Sequence, residues 1–342
     1  MHFCRTKKTA VFVFLSLCAA LTAHGEAGSK TFSFSLEPYA GYTNGTLEEI
    51  LYYSSPADKK ISLLEWERKF FVYGAEVNAV LKNFNLEAKA ETALKDTRSG
   101  QMRDSDWLNE HDFSMKTTYS VGKNYSADYY STELKLSYDF APAHGVKISP
   151  VLGAQYDYDS FYRPKGAEGW YSDESHHWND PSSEHYPHHD ENTGKTYTLA
   201  EIDYYRHSFF TWAGLKAGFE PSQKIAFTAQ ALASPFVYFY SLDTHFAQDK
   251  ATKEMYGKHS RQRQQSYFAY CRLNLETQIK MTRALKLKLG FETLFNLKTG
   301  RGDLANDYYG DTPQGHYIKS DQKTSSTIKN IKLTAGVKIR CF

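Results

Sequence analysis

The chain has 342 residues, with 41 Lys and Arg against 39 Asp and Glu, and aromatic residues make up 15% of it. So balanced a charge gives no support to nucleic-acid binding. The first 25 residues follow the layout of a cleaved signal peptide: Arg5, Lys7 and Lys8, an apolar run from Ala10 to Leu21, then small residues around Ala23. Residues 26–342 are therefore expected to be exported, as one domain.

No later segment approaches the roughly 18 consecutive apolar residues that a spanning helix needs. The alternation has period two instead. Leu134, Leu136, Tyr138 and Phe140 alternate with Glu133, Lys135, Ser137 and Asp139, and Leu285, Leu287, Leu289 and Phe291 alternate with Lys286, Lys288, Gly290 and Glu292. Ile331, Leu333, Ala335, Val337 and Ile339 continue the pattern against Lys332, Thr334, Gly336, Lys338 and Arg340. One face is apolar and the other wet, as in a strand with lipid on one side.

Ten such stretches run from about 31 to 53, 60 to 83, 84 to 101, 124 to 140, 146 to 163, 196 to 219, 224 to 246, 262 to 281, 284 to 299 and 323 to 342. Tight connections alternate with long polar ones, the former suiting the periplasm and the latter the cell exterior. The expected fold is all-β: a single ten-stranded antiparallel transmembrane β-barrel in the outer membrane of a diderm bacterium. Strands of about 20 residues, rising ~3.3 Å per residue at a tilt near ~40°, stand about 50 Å tall and extend well above the lipid. Ten strands enclose a bore that side chains can nearly fill, which disfavours a channel. Cys271 and Cys341 fall two strands apart, so no disulfide is expected.

Two acidic stretches stand out, Asp104-Ser105-Asp106-Trp107 after the third strand and Asp243-Thr244-His245 at the top of the seventh. A carboxylate beside an imidazole fixes its tautomer, and a second carboxylate pair can hold and polarise a water between the two sets. Taken alone, such short strings are more often solvated loop carboxylates.

Their surroundings, together with the ten strands, resemble the omptin family of outer-membrane endopeptidases. Met102-Arg103-Asp104-Ser105-Asp106-Trp107 is similar to that family's Met-x-Asp-x-Asp-Trp, and Asp243-Thr244-His245-Phe246 to its Asp-x-His-aromatic stretch. Glu49-Ile50-Leu51-Tyr52 with Lys60 to Trp66, and Ile202-Asp203-Tyr204 through Gly214-Leu215, resemble the first hairpin and the sixth strand. The resemblance implies a protease facing the exterior, in which Asp104, Asp106, Asp243 and His245 are catalytic and Glu49, Met102 and Ile202 line the pocket for a basic substrate residue. It implies polypeptide substrates, contact with outer-membrane lipid, a monomer, and no metal or cofactor apart from the family's dependence on lipopolysaccharide, for which Arg206 and His207 lie near one binding position.

Three departures qualify this. Ser241 stands where the family usually has a second acidic residue of the basic pocket, leaving Glu49 alone unless Glu48 helps. Either Glu110 or Asp112, or neither, replaces the acidic residue beyond the scissile bond. His176, His177, His185, His188 and His189 crowd a loop without compact ligand spacing, which favours solvation over a dedicated metal site. The rival expectation is a barrel that keeps the scaffold without the chemistry, as an adhesin or structural surface protein.

Overall fold

The computed structural model describes residues 32–56, 58–140, 142, 145–171, 189–190, 195–198, 201–248, 255–307 and 315–341. The expected signal peptide and His176, His177, His185 and His188 lie outside the described residues.

Ten long antiparallel strands form a closed ring, each paired with its neighbour in sequence, and the first, Phe32–Tyr52, closes on the tenth, Ile318–Arg340. The second is Lys60–Leu81, the fourth Thr118–Tyr138, the fifth Val146–Arg163 and the sixth Glu201–Phe219. Four are interrupted: the third (Phe84–Ala93 and Thr97–Asp106), seventh (Ile225–Ala233 and Val237–Gln248), eighth (Met255–Ser266 and Tyr270–Lys280) and ninth (Leu285–Asn296 and Gly302–Asp307). Short strands Ala167–Tyr171 and Lys195–Thr198 pair in the connection between the fifth and sixth. The third strand thus runs five residues beyond the expected limit and carries Asp104 and Asp106 within paired structure.

Near the tight turns the outward faces are apolar: Leu134, Leu136, Leu152, Leu215, Leu275 and Leu333 are all exposed. That band meets lipid, and an Arg at its middle is worth about 2–4 kcal/mol of destabilisation. Above it, Tyr130, Tyr156, Tyr158, Tyr205, His207 and Tyr240 form a continuous outer aromatic patch, the girdle expected where lipid gives way to water. Cys271 and Cys341 are free, as expected.

The bore is filled. Ion pairs join strands that are not neighbours: Lys332 to Glu91 at 2.7 Å, Lys216 to Glu87 at 3.1 Å, Lys288 to Glu76 at 3.3 Å, and Arg272 to Glu133. Higher up, Arg68 meets Asp159 at 2.8 Å. Over these sits a dry layer of Leu47, Leu64, Trp66, Phe70, Met102, Phe161, Ile202 and Tyr204. Trp66 is stacked between Phe161 and Tyr204, with ring centroids 5.9 and 5.5 Å away. Charges buried at this depth persist because each has an opposite partner. With salt bridges and rings crossing it, the lumen is a core rather than a channel.

Two slips of register decide what faces that core. From the Val72–Ala93 partners up to the Trp66–Met102 partners the third strand takes three more residues than the second. From Ala213–Ala233 to Phe210–Val237 the seventh takes one more than the sixth. An odd slip turns a strand's faces over. Below the first slip Glu91 and Ala93 are buried; above it Met102 is buried and Arg103 turns outward to Glu67. Leu232 is buried below the second slip, and Val237, Phe239, Ser241 and Asp243 above it. Asp96 with φ 54° and Gly100 with φ 120° shape the first break.

Candidate active site

Each acidic couple sits on the inward face created by one of these slips. Asp104 lies between Leu64 of the second strand and Ser120 of the fourth, and Leu64 in turn partners Glu49 of the first. Across the bore, His245 lies beside Ile202, whose other partner is Arg163 of the fifth strand, and Asp243 lies beside Tyr204. The seven predicted residues are therefore brought to one end of the bore, at and just above the apolar layer. Met102 and Ile202 are fully buried within that layer and Glu49 is buried at its edge.

His245 Nε2 is 2.9 Å from Asp243 Oδ2. With that nitrogen engaged, Nδ1 is the lone pair left for a proton. Burial alone would lower the pKa of His245, but the Asp243 carboxylate, by charge and hydrogen bond, and Asp104 carry it above the ordinary value. Asp104 is pushed up to about 7, first by burial and then by the neighbouring Asp106 carboxylate, against the pull of His245 and Arg163. Asp106 is held by the Thr118 hydroxyl, which donates to Oδ2. The two couples are thus electrostatically in contact across the cleft.

Glu49 is raised well above the usual carboxylate range by burial and by Asp243, with a Gln262 hydrogen bond, Lys258 and Arg206 acting in the other direction. Its Oε2, like Asp243 Oδ1, has no protein hydrogen-bond partner among the described residues. Ser241 is buried beside Arg206, its register partner. Glu48 does not assist: the adjacent residue on an extended strand faces the other way, and it accepts from Thr327 and meets Lys329 at 3.7 Å. Asp112 accepts both the backbone N–H and the hydroxyl of Ser114, at 2.9 and 2.6 Å, while Glu110 is exposed.

Two arginines that no motif marks are sealed into the site. Arg163 donates to Ser120 Oγ at 2.7 Å and to Met102 Sδ at 3.4 Å. Arg206 donates to Ser326 Oγ and the Thr327 carbonyl, meets Asp159 at 3.5 Å and lies over the Phe239 ring. Arg206 is buried in the lumen and cannot take the lipid-contacting place that the resemblance suggested; His207 alone of that pair faces outward, hydrogen-bonded to Tyr156 at 2.6 Å. In a strict alternation, the phase that Arg206 shares with Ile202, Tyr204 and the bore residue Lys216 was the available signal that it faces inward. Among the described residues no group of three or more His, Cys, Asp or Glu could hold a metal ion.

The omptin family model matches residues 30–341. Among solved structures, the outer membrane protease OmpT from Escherichia coli superposes with a TM-score of 0.71 at 16% identity, over 92% of this chain and 100% of that one. The translocator domain of the autotransporter NalP from Neisseria meningitidis gives a TM-score of 0.34 at 10% identity, over 98% and 97% of the two chains, too low to inform the site. No curated protein sequence matches the chain. The likeness to OmpT conveys the barrel, and the family model spans nearly the whole sequence: the chain belongs to the omptin family, and its barrel stands in the outer membrane.

Proposed function

We propose that the chain is an outer-membrane endopeptidase that hydrolyses polypeptides at the cell surface through a water activated between Asp104 and Asp106 on one side and the Asp243–His245 couple on the other. His245, oriented by Asp243, takes a proton from the water at Nδ1 as the oxygen attacks the scissile carbonyl. The proton then passes to the leaving amine, and no covalent acyl-enzyme forms. Asp104 and Asp106 hold the water and offset the imidazolium charge as it develops. The observation that carries the reading is the convergence of the two couples at the barrel mouth, close enough that His245 and Asp104 perturb each other's ionisation. Perturbed acids and bases facing one cleft are a mark of chemistry rather than of a solvated loop or a passive surface protein.

Glu49, with Met102 and Ile202, receives the side chain next to the cut, which we assign as basic. An entering cation favours the ionised form of Glu49. With Ser241 beside it and Arg206 and Lys258 already acting on it, discrimination for Arg or Lys is weaker than two carboxylates would give.

The test is to refold the mature barrel in detergent, with and without lipopolysaccharide, and map cleavage of a peptide library by mass spectrometry beside His245→Ala and Asp104→Ala. Cleavage by the parent barrel that is lost in both variants supports the mechanism. A folded barrel that cuts nothing in either condition overturns it in favour of a non-catalytic surface protein.

A further inference from the structure

Arg163 is one of the largest fully buried side chains of the barrel. It projects inward from the last residue of the fifth strand, midway round the wall between the two couples. On one side its guanidinium is fixed to Ser120, the register partner of Asp104. On the other, its own register partner Ile202 is that of His245. The fourth strand makes room for it: a Cβ on Gly122 would lie 3.1 Å from Arg163 Cδ and 3.2 Å from Cγ. Among the described residues its guanidinium reaches two acceptors, a hydroxyl and a thioether, and Nε has no hydrogen-bond partner. Among the described residues no carboxylate touches it directly, and burying an arginine in that way is expensive, which points to a role in the charge balance of the site.

Resting on the proposed mechanism, we infer that Arg163 is a positioning residue of the site, the counter-cation of its carboxylate cluster, and that it sets the pH at which the site works. The cluster needs one. Asp243 and Asp104 both act on one imidazole, with Asp106 beside Asp104 and Glu49 coupled to Asp243, and unopposed these carboxylates would hold the proton on His245 too firmly for it to act as a base near neutrality. The groups acting on His245 are Asp243 on its own strand, Asp104 on the third and Arg163 on the fifth, and Asp106 of the third acts on Asp104. Lys258 of the eighth is its backbone partner, Asp243 also acts on Asp203 of the sixth and Glu49 of the first, and His259 of the eighth is turned away, bonded to Thr244. Of the cations, Lys258 and Arg206 act on Glu49 and Arg163 on the two couples: it draws down both Asp104 and His245. Without Arg163 both would keep their protons to higher pH.

The experiment is the pH–rate profile of the full barrel for the parent, Arg163→Met, Arg163→Lys and Ser120→Ala, with His245→Ala as control. Alongside it runs an NMR titration of the ¹³C-histidine-labelled barrel, in which the His245 signal is the one absent from His245→Ala. Arg163→Met is expected to move the acid limb and the His245 midpoint upward by at least about half a pH unit, so that activity falls several-fold at pH 6 and recovers at pH 9; Arg163→Lys keeps both near the parent, and Ser120→Ala moves them the same way by less. A folded Arg163→Met barrel with the His245 midpoint unmoved overturns the inference whether or not it cleaves. Should Arg163→Met fail to fold, the same titration of Ser120→Ala decides, an unmoved midpoint again overturning the inference. Cleavage surviving in His245→Ala would instead overturn the mechanism, a separable result.

Discussion

The His245 imidazole and the Asp243 carboxylate meet at 2.9 Å through Nε2 and Oδ2, with Asp243 almost wholly buried and His245 about a third exposed. The buried partner holds and the open partner acts. Asp243→Asn keeps the shape but removes the charge that fixes the tautomer, and is expected to lower kcat by about 10²–10⁴-fold with little change in KM. Steady-state kinetics on the folded variant checks this; an unchanged kcat would detach Asp243 from catalysis.

The acid limb of the wild-type profile should lie above the ordinary histidine midpoint of 6.5, because Asp243 and Asp104 raise His245 and the base form is the deprotonated one. Asp104, at about 7, titrates in the same range, so the rise with pH should be steeper than for one proton. Measuring kcat/KM from pH 5 to 9 tests both statements. A midpoint below 6.5 would contradict the electrostatics of the cluster.

Asp104→Asn should abolish activity yet stabilise the barrel, with a pH dependence whose sign is fixed. The folded-state pKa of about 7 is above the ordinary 3.8. Between these values the folded chain retains a proton that the unfolded chain has lost, so the wild type loses stability as pH rises through that window. The variant has no such group. The gain in Tm should be near zero at pH 3, grow toward pH 7 and level off above, reaching a few degrees in thermal unfolding monitored by circular dichroism.

The ten strands were legible because lipid enforces a strict alternation: Leu134, Leu136, Ile331 and Leu333 are exposed as their phase requires. The acidic couples were legible as strings, but not their facing. Extrapolating the inward phase of Glu91 up the third strand would turn Arg103 into the cleft and Asp104 out of it, and the same extrapolation from Leu232 would expose Asp243. Register slips at Leu94–Gly100 and Ser234–Phe236 reverse both. Such a slip depends on which residues pair across strands, information that single-strand alternation does not contain. Arg163 was missed, and Arg206 was placed on the outer wall rather than in the bore, for a related reason. On an inward phase already rich in charge, nothing local separates an arginine that plugs the bore from one that faces the reacting groups.

The pocket makes the last prediction, because Arg206 acts on Glu49 and is paired in register with Ser241, which stands where a second carboxylate would be. Ser241→Asp adds that carboxylate beside the entering side chain and opposite the Arg206 charge. Selectivity for Arg over a neutral isostere, measured as a ratio of kcat/KM on matched peptides, should rise about tenfold or more, since a charge-assisted hydrogen bond is worth roughly 1.5–3 kcal/mol. Glu49→Gln should cut the same ratio while leaving cleavage of neutral peptides largely intact. Arg206→Gln should shift selectivity toward cations as Ser241→Asp does, though at some loss of stability because Asp159 loses one of its two arginine partners among the described residues. If Ser241→Asp leaves the ratio unchanged, the side chain next to the cut does not enter beside Glu49, and the pocket must be sought elsewhere on the cleft wall.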